Sequence, residues 1–260
     1  AAAAAAVARQ VATYLWTIRG EMIPRYPGPD VAVAEVARLT ALPGAVAGPV
    51  VINEASDNTG VGAVGDATHL LRALLDAGLG ERFPGRVAFA VIYDPECAAA
   101  AIAAGVGSTV NLTLGAKSGV RHGTPVAIDG GVVRAVSDGR CTLEQYAPGL
   151  KVSFGASSRV SYSGVEIVIV SRRLQTFDTT PLQMVGLDVN RMAVVALKSS
   201  IHFRAGFRKL ASGYRPPIVT SDSPGLSSNK LSTFPRKHAD RPLWPLDQTV
   251  QYKPHPVGKL

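Results

Sequence analysis

The chain has 260 residues, 47% of them hydrophobic and 18% charged, which supports a packed core in one large domain or in one domain plus part of another. Wholesale disorder is excluded by that balance, and no apolar run approaches the ~20 residues a membrane span needs. The net charge is +8. The Lys and Arg are nevertheless scattered with no Arg/aromatic-interleaved motif, so neither nucleic acid nor membrane is an expected partner.

In chain order, Ala1 to Ile23 reads as a helix, with Val7, Val11, Tyr14, Leu15 and Ile18 at helical spacing. The leading alanines have no basic segment before them and no long apolar core, so they do not form a signal peptide. Asp30 is the expected N-cap of a second helix running to Leu39. Pro43 to Pro49 reads as a linker. Pro49 to Ile52 is a buried strand that enters a glycine-rich loop, Asp57 to Asp66. Thr68 to Ala77 is an amphipathic helix, Val87 to Tyr93 a strand, Asp94-Pro95 the cap of an alanine-rich helix ending at Gly105, and Ser108 to Leu114 a third strand. This β-α-β-α-β order predicts an α/β fold, with a mixed, partly parallel sheet and covering helices. From Pro125 to Val170, short apolar runs at 126–128, 132–136, 151–154 and 165–170 alternate with turn residues such as Asp129-Gly130-Gly131. They predict an antiparallel β meander or small barrel. Ala193 to Leu197 is a further buried strand. The segment from Ser221 onward, rich in Pro, Ser and basic residues, reads as a surface tail.

Cys97 and Cys141 lie far apart and form no CxxC. They read as buried free thiols of a cytoplasmic protein, since neither a disulfide framework nor a cysteine zinc knuckle has the spacing it needs.

Two constellations could carry chemistry. In the loop 57–66, Gly60, Gly62 and Gly65 allow backbone N–H groups to approach a ligand, with Asp57, Asn58 and Asp66 beside them. The spacing meets a bare GxGxxG pattern, but no acidic residue follows at Rossmann distance and no Gly-Lys-Ser/Thr follows for a P-loop. The loop reads equally as a tight turn or as a cleft-facing surface. The second constellation is Lys198-Ser199-Ser200-Ile201-His202-Phe203-Arg204, at a strand end, where open α/β sheets place their sites. Lys198 and His202 would share a face on a helical turn. No acid completes a Ser/His nucleophile arrangement. Asp66 and His69 lie one turn apart, but two ligands do not make a zinc site. His122, His238 and His255 read as surface histidines. No metal ligand is assigned within the chain.

Three segments carry a resemblance. Asp57-Asn58 with Gly60, Gly62, Gly65 and Asp66, followed by Leu70 to Leu75, resembles the loop and helix that open the C-terminal domain of microcystinase C-type zinc metallopeptidases. Lys198-Ser199-Ser200 with His202 to Phe207 resembles that domain's most recognisable motif. Asp222 to Gly225 and Arg241 to Asp247 resemble its end, with Thr59-Gly60-Val61 standing where the family often has Pro-Gly-Gly. The resemblance implies that residues 49–247 form this domain, that residues 1–48 are the last helices and linker of a preceding metallopeptidase domain, and that 248–260 is a tail. It further implies a bacterial peptidase that takes zinc on His and acidic residues of that preceding domain, with no cofactor expected in these 260 residues. The partners would be that domain and a peptide substrate, with homo-oligomers possible. The cleft-facing residues would be Asp57, Asn58, Gly60, Gly62, Asp66, Lys198, Ser199, His202 and Arg204. The alternatives are a non-catalytic structural or oligomerisation domain, or a small-molecule or anion binder that uses the glycine-rich loop.

Overall fold

In the computed structural model, which describes residues 2–42, 48–210, 212–238 and 241–253, the helices are α1 (Ala2–Thr17), α2 (Pro29–Leu39), α3 (His69–Asp76), α4 (Leu79–Arg82), α5 (Pro95–Ala104), α6 (Thr180–Gln183) and α7 (Arg204–Phe207). The strands are β1 (Val50–Glu54), β2 (Val87–Tyr93), β3 (Thr109–Leu114), β4 (Val126–Ser137), β5 (Arg140–Thr142), β6 (Lys151–Ser153), β7 (Ser157–Tyr162), β8 (Val165–Val170), β9 (Val194–Lys198) and β10 (Ile218–Ser221). Contacts divide the chain into one unit of residues 26–228 and another of residues 1–25 with 229–260.

The larger unit holds one eight-stranded sheet in the order β10-β1-β9-β2-β8-β7-β4-β3. The first five strands run parallel and the last three continue antiparallel. Strand sequence explains this division. β1, β8 and β9 are buried at every position and β2 at all but its last, as parallel strands covered on both faces must be. β3 instead alternates exposed and buried, as a strand with one wet face does. Alternate residues feed two cores. Val194 and Ala196 of β9 join Ile52, Phe89 and Ile167 under α2, α3 and α5. Val195 and Leu197 join Val51, Val168, Phe154, Phe203 and Phe207 on the other face. Each fully buried Val, Leu or Phe contributes about 1.5–3 kcal/mol.

The mixed α/β class is as expected, and the antiparallel stretch is a meander that extends the same sheet, with β5 and β6 forming a small separate sheet. Several details differ from the expectation. Asp129-Gly130-Gly131 lies within β4, which is continuous, with Gly130 at φ +78°. β7 carries too few apolar residues to read as a strand, and β10 is only four residues long. β7 is held by pairing with β4 on one side and β8 on the other, a tertiary effect that outweighs local preference. α1 ends at Thr17, and 18–23 are turns. Gly28 rather than Asp30 occupies the N-cap of α2, with Asp30 in the first turn. Asp94 caps α5 as expected, its Oδ1 accepting from Cys97 N at 3.1 Å. Cys97 is buried, whereas Cys141 is half-buried. Most of the linker expected at 43–49, and His255, lie outside the described residues.

In the smaller unit, α1 leaves Val7, Val11, Tyr14 and Leu15 exposed. The Arg19 guanidinium sits 4.4 Å from the Trp16 ring and 4.6 Å from the Trp244 ring. No described helix is long and apolar enough to cross a membrane.

Candidate functional site at the carboxyl edge of the sheet

Parallel pairing sets Glu54, the last residue of β1, directly opposite Lys198, the last residue of β9. Both positions point to the α2/α3/α5 face, since they continue the alternation of Ile52 and Ala196. The Lys198 ammonium lies 2.7 Å from Glu54 Oε2, 3.0 Å from Asp57 Oδ2 and 2.7 Å from the Ala67 carbonyl. Three acceptors use all three N–H donors of an ammonium group. Lys198 is only 2% exposed. Burial opposes its charge, but Glu54 and Asp57 more than offset that cost and hold its pKa above the ordinary lysine value.

Asp57 organises the glycine-rich loop. Its Oδ1 accepts from Gly65 N at 2.9 Å and its Oδ2 from Ala67 N at 2.7 Å. The nest of backbone donors that could have taken an external anion is therefore filled by the loop's own carboxylate, which removes the observation that favoured an anion-binding loop. Asn58 Oδ1 caps the following 3-10 turn through Gly60 N, and Asn58 Nδ2 donates to Ser200 Oγ at 3.1 Å. Asp66 Oδ2 accepts from Lys117 N and Ser118 N.

The two motifs and the Asp222 to Gly225 part of the third family-like segment converge here. Asn53 Nδ2 donates to the Ser199 carbonyl at 2.8 Å. Gln175 donates to Ser199 Oγ and lies 3.4 Å from His202 Nδ1. A Cβ at Gly60 would fall 1.7 Å from Gln175 Oε1, so the glycine allows this approach. Ser223 hydrogen-bonds Glu54 Oε1 and Ser56. A Cβ at Gly225 would meet the Ser56 carbonyl at 2.1 Å.

The expected residues thus separate into a buried frame and an exposed rim. Asp57, Asn58, Asp66, Lys198 and Ser199 are buried, while Gly60, Gly62 and His202 are exposed and Arg204 is half-buried. Lys198 and His202 do not share a face, because Lys198 ends a strand rather than lying on a helical turn. Lys198, with every donor used, is a frame residue and has no N–H left for a substrate carboxylate. His202 lies against Tyr146 and Phe177, with ring centroids 5.0 and 6.1 Å away.

His122, expected at the surface, is 2% exposed, and its Nδ1 faces Asp66 Oδ1 at 2.5 Å. Asp66 therefore pairs with His122 and not with His69, whose Nε2 meets the Arg121 carbonyl. Sequence spacing held no signal for this pair, because the 3-10 turn at Val120–His122 folds back over the loop through Thr68 N to the His122 carbonyl. Asp57, Asp66 and His122 present ligand atoms within 4.8 Å of one another. As a zinc site the set fits poorly. Both Asp57 oxygens already hold backbone N–H groups, and the Lys198 ammonium stands beside Oδ2 where a cation would sit. Of the three residues, only Asp66 Oδ1 and His122 Nδ1 are not held by a further group, and these two face each other, fewer than the three protein ligands of a catalytic zinc.

Residues 52–238 match the sequence pattern of the MlrC C-terminus family. The chain belongs to that family. The chain is 28% identical over 204 residues to Microcystinase C from Sphingomonas sp., covering 78% of this chain and 37% of that protein. The fold matches a crystal structure from Mesorhizobium sp. BNC1, assigned provisionally as a metallopeptidase, with TM-score 0.76 and 24% identity over 94% of this chain and 46% of that one. The chain therefore spans less than half the length of either relative.

Proposed function

We propose that the chain is the C-terminal part of an MlrC-like, zinc-dependent bacterial peptidase of the cytoplasm, and that the sheet edge carrying His202 forms one wall of its peptide cleft. The observation that carries this reading is the convergence of two family-like segments and part of the third on one edge of the sheet, around a buried and fully compensated lysine. Zinc belongs, on this reading, to a preceding domain, where it supplies Lewis-acid polarisation of the scissile carbonyl and an activated water. The exposed apolar stripe of α1 supports such a neighbouring domain.

The residues of this chain divide the work. Glu54, Asp57 and Lys198 fix the loop 57–66 against the ends of β1 and β9. That frame holds Asn58 against Ser200, the residue before Ile201-His202. His202, braced by Gln175 and the Tyr146–Phe177 pair, donates a hydrogen bond to the substrate or to its developing oxyanion. Arg204 makes no ion pair among the described residues, and its guanidinium is suited to a peptide carboxylate.

Steady-state kinetics on the longer protein with a linear peptide test this. His202→Ala should lower kcat/KM by at least about tenfold, within the range for loss of one transition-state donor, while the melting temperature stays unchanged because the side chain is exposed. Unchanged kcat/KM at normal stability would remove His202 from the cleft.

A further inference from the structure

A second cleft lies at the opposite, amino-terminal edge of the sheet. It has a volume of about 740 Å³ and is lined by Arg86, Arg134, Arg159 and Arg191, with Glu166 and Asp188. The two carboxylates do not balance the four guanidinium groups. Glu166 faces Arg159 Nε at 3.2 Å. Asp188 Oδ1 is turned to Asn190, accepting from its backbone and side-chain nitrogens at 3.0 Å. Arg86 gives its Nε to the Arg191 carbonyl and Arg159 gives an Nη to the Gly186 carbonyl. Arg86, Arg134 and Arg191 make no ion pair among the described residues. Like charges gathered in one concavity repel, and the concavity strengthens their field on any ligand.

The strand geometry aims one of these side chains. Between Val133 and Ala135 the pairing of β4 with β7 slips, and Arg134 is the extra residue opposite the Val160–Arg159 step. A bulge of this kind turns a side chain out of its regular alternation. Here it sets Arg134 beside Arg159 on the cleft wall.

We propose that this cleft is a binding site for a small multivalent oxyanion, a phosphate ester or a polycarboxylate. Planar guanidinium forks match either group with paired hydrogen bonds, and three guanidinium groups without a carboxylate partner favour a ligand carrying several negative charges. The site is separate from the proposed peptide cleft. It adjoins the starts of β2, β8 and β9, whereas Lys198 ends β9 and Asp57 follows β1, about 20 Å away at roughly 3.3 Å per residue. The proposal does not depend on the peptidase reading.

Titration calorimetry on this chain with inorganic pyrophosphate and, separately, with citrate tests the proposal. One-to-one saturable binding of at least one probe is expected, and the probe that binds identifies the phosphate or the carboxylate source. The double variant Arg134→Ala/Arg191→Ala removes two exposed side chains, so its fold, checked by circular dichroism, should persist. Its affinity should fall by at least about tenfold, while Arg140→Ala, an exposed arginine on β5, should bind as the parent does. Three results would overturn the proposal: no saturable binding of either probe at millimolar concentration, parent-like binding by the double variant, or an equal loss in Arg140→Ala.

Discussion

Replacing Lys198 by Met keeps the length and apolar contacts of the side chain but removes its ammonium. Glu54 and Asp57 would then share a site with 0% exposure and no counter-charge. Breaking a buried ion pair from one side costs about 3–5 kcal/mol. At about 2–4 °C per kcal/mol for a domain of this size, the melting temperature should fall by about 6–20 °C. The pH dependence gives the loss a signature. Unpaired buried carboxylates have folded pKa values above their unfolded ones, so protonating them favours the folded variant. The deficit of Lys198→Met should therefore shrink as pH falls toward the ordinary carboxylate range and grow as pH rises toward neutrality. In the parent chain the raised Lys198 pKa acts in the other direction. Its stabilisation is complete below the ordinary lysine value and is lost only as pH rises through the folded one. Thermal melts of both chains across pH, followed by circular dichroism, measure this. A melting temperature within about 2 °C of the parent at neutral pH, less than 1 kcal/mol by the same conversion, would refute the frame role of Lys198.

Further consequences follow from neighbouring contacts. Gly225→Ala should destabilise by about 1–3 kcal/mol, because a Cβ there meets the Ser56 carbonyl, which is backbone and cannot swing aside; denaturant melts measure it. Burial pushes the Cys97 thiol up to about 12, with the Asp94 charge adding to the shift, so in a Cys141→Ser chain a thiol-specific chromophore should react at pH 8 only after unfolding, and fast native labelling would contradict this. Burial raises the Asp94 pKa, but the Gly115 and Cys97 amides and the Lys117 ammonium outweigh it and hold the carboxyl below its usual range. Its contribution is present above the unfolded aspartate pKa and is lost as pH falls through the folded one, so Asp94→Asn should be less stable at pH 7 by about 1–3 kcal/mol and should converge with the parent in acid.

The parts of the fold legible in sequence were those fixed by local pattern. The unbroken runs at β1, β2, β8 and β9 announced strands, and Asp94-Pro95 announced a helix start, but 165–170 read as part of the antiparallel stretch, whereas β8 pairs with β2 in parallel and only with β7 antiparallel. Ser157 to Tyr162 announced nothing, because its strand exists through its two neighbours. The same division holds at the site. A polar loop and a Lys-Ser-Ser strand end were visible as chemistry-bearing segments. Which members would be buried was not, because the Glu54–Lys198 contact is set by strand register and spans 144 positions. His122 was unreadable for the same reason, its partner being supplied by a loop folded across from elsewhere.

The central claim, that these residues frame a cleft whose zinc is held elsewhere, is tested most directly by metal content. Mass spectrometry should be run on the purified 260-residue chain beside the longer protein. The account predicts zinc near one equivalent in the longer protein alone. Stoichiometric zinc in this chain, lost on replacing Asp66 or His122, would contradict it and would make Asp57, Asp66 and His122 ligands in their own right.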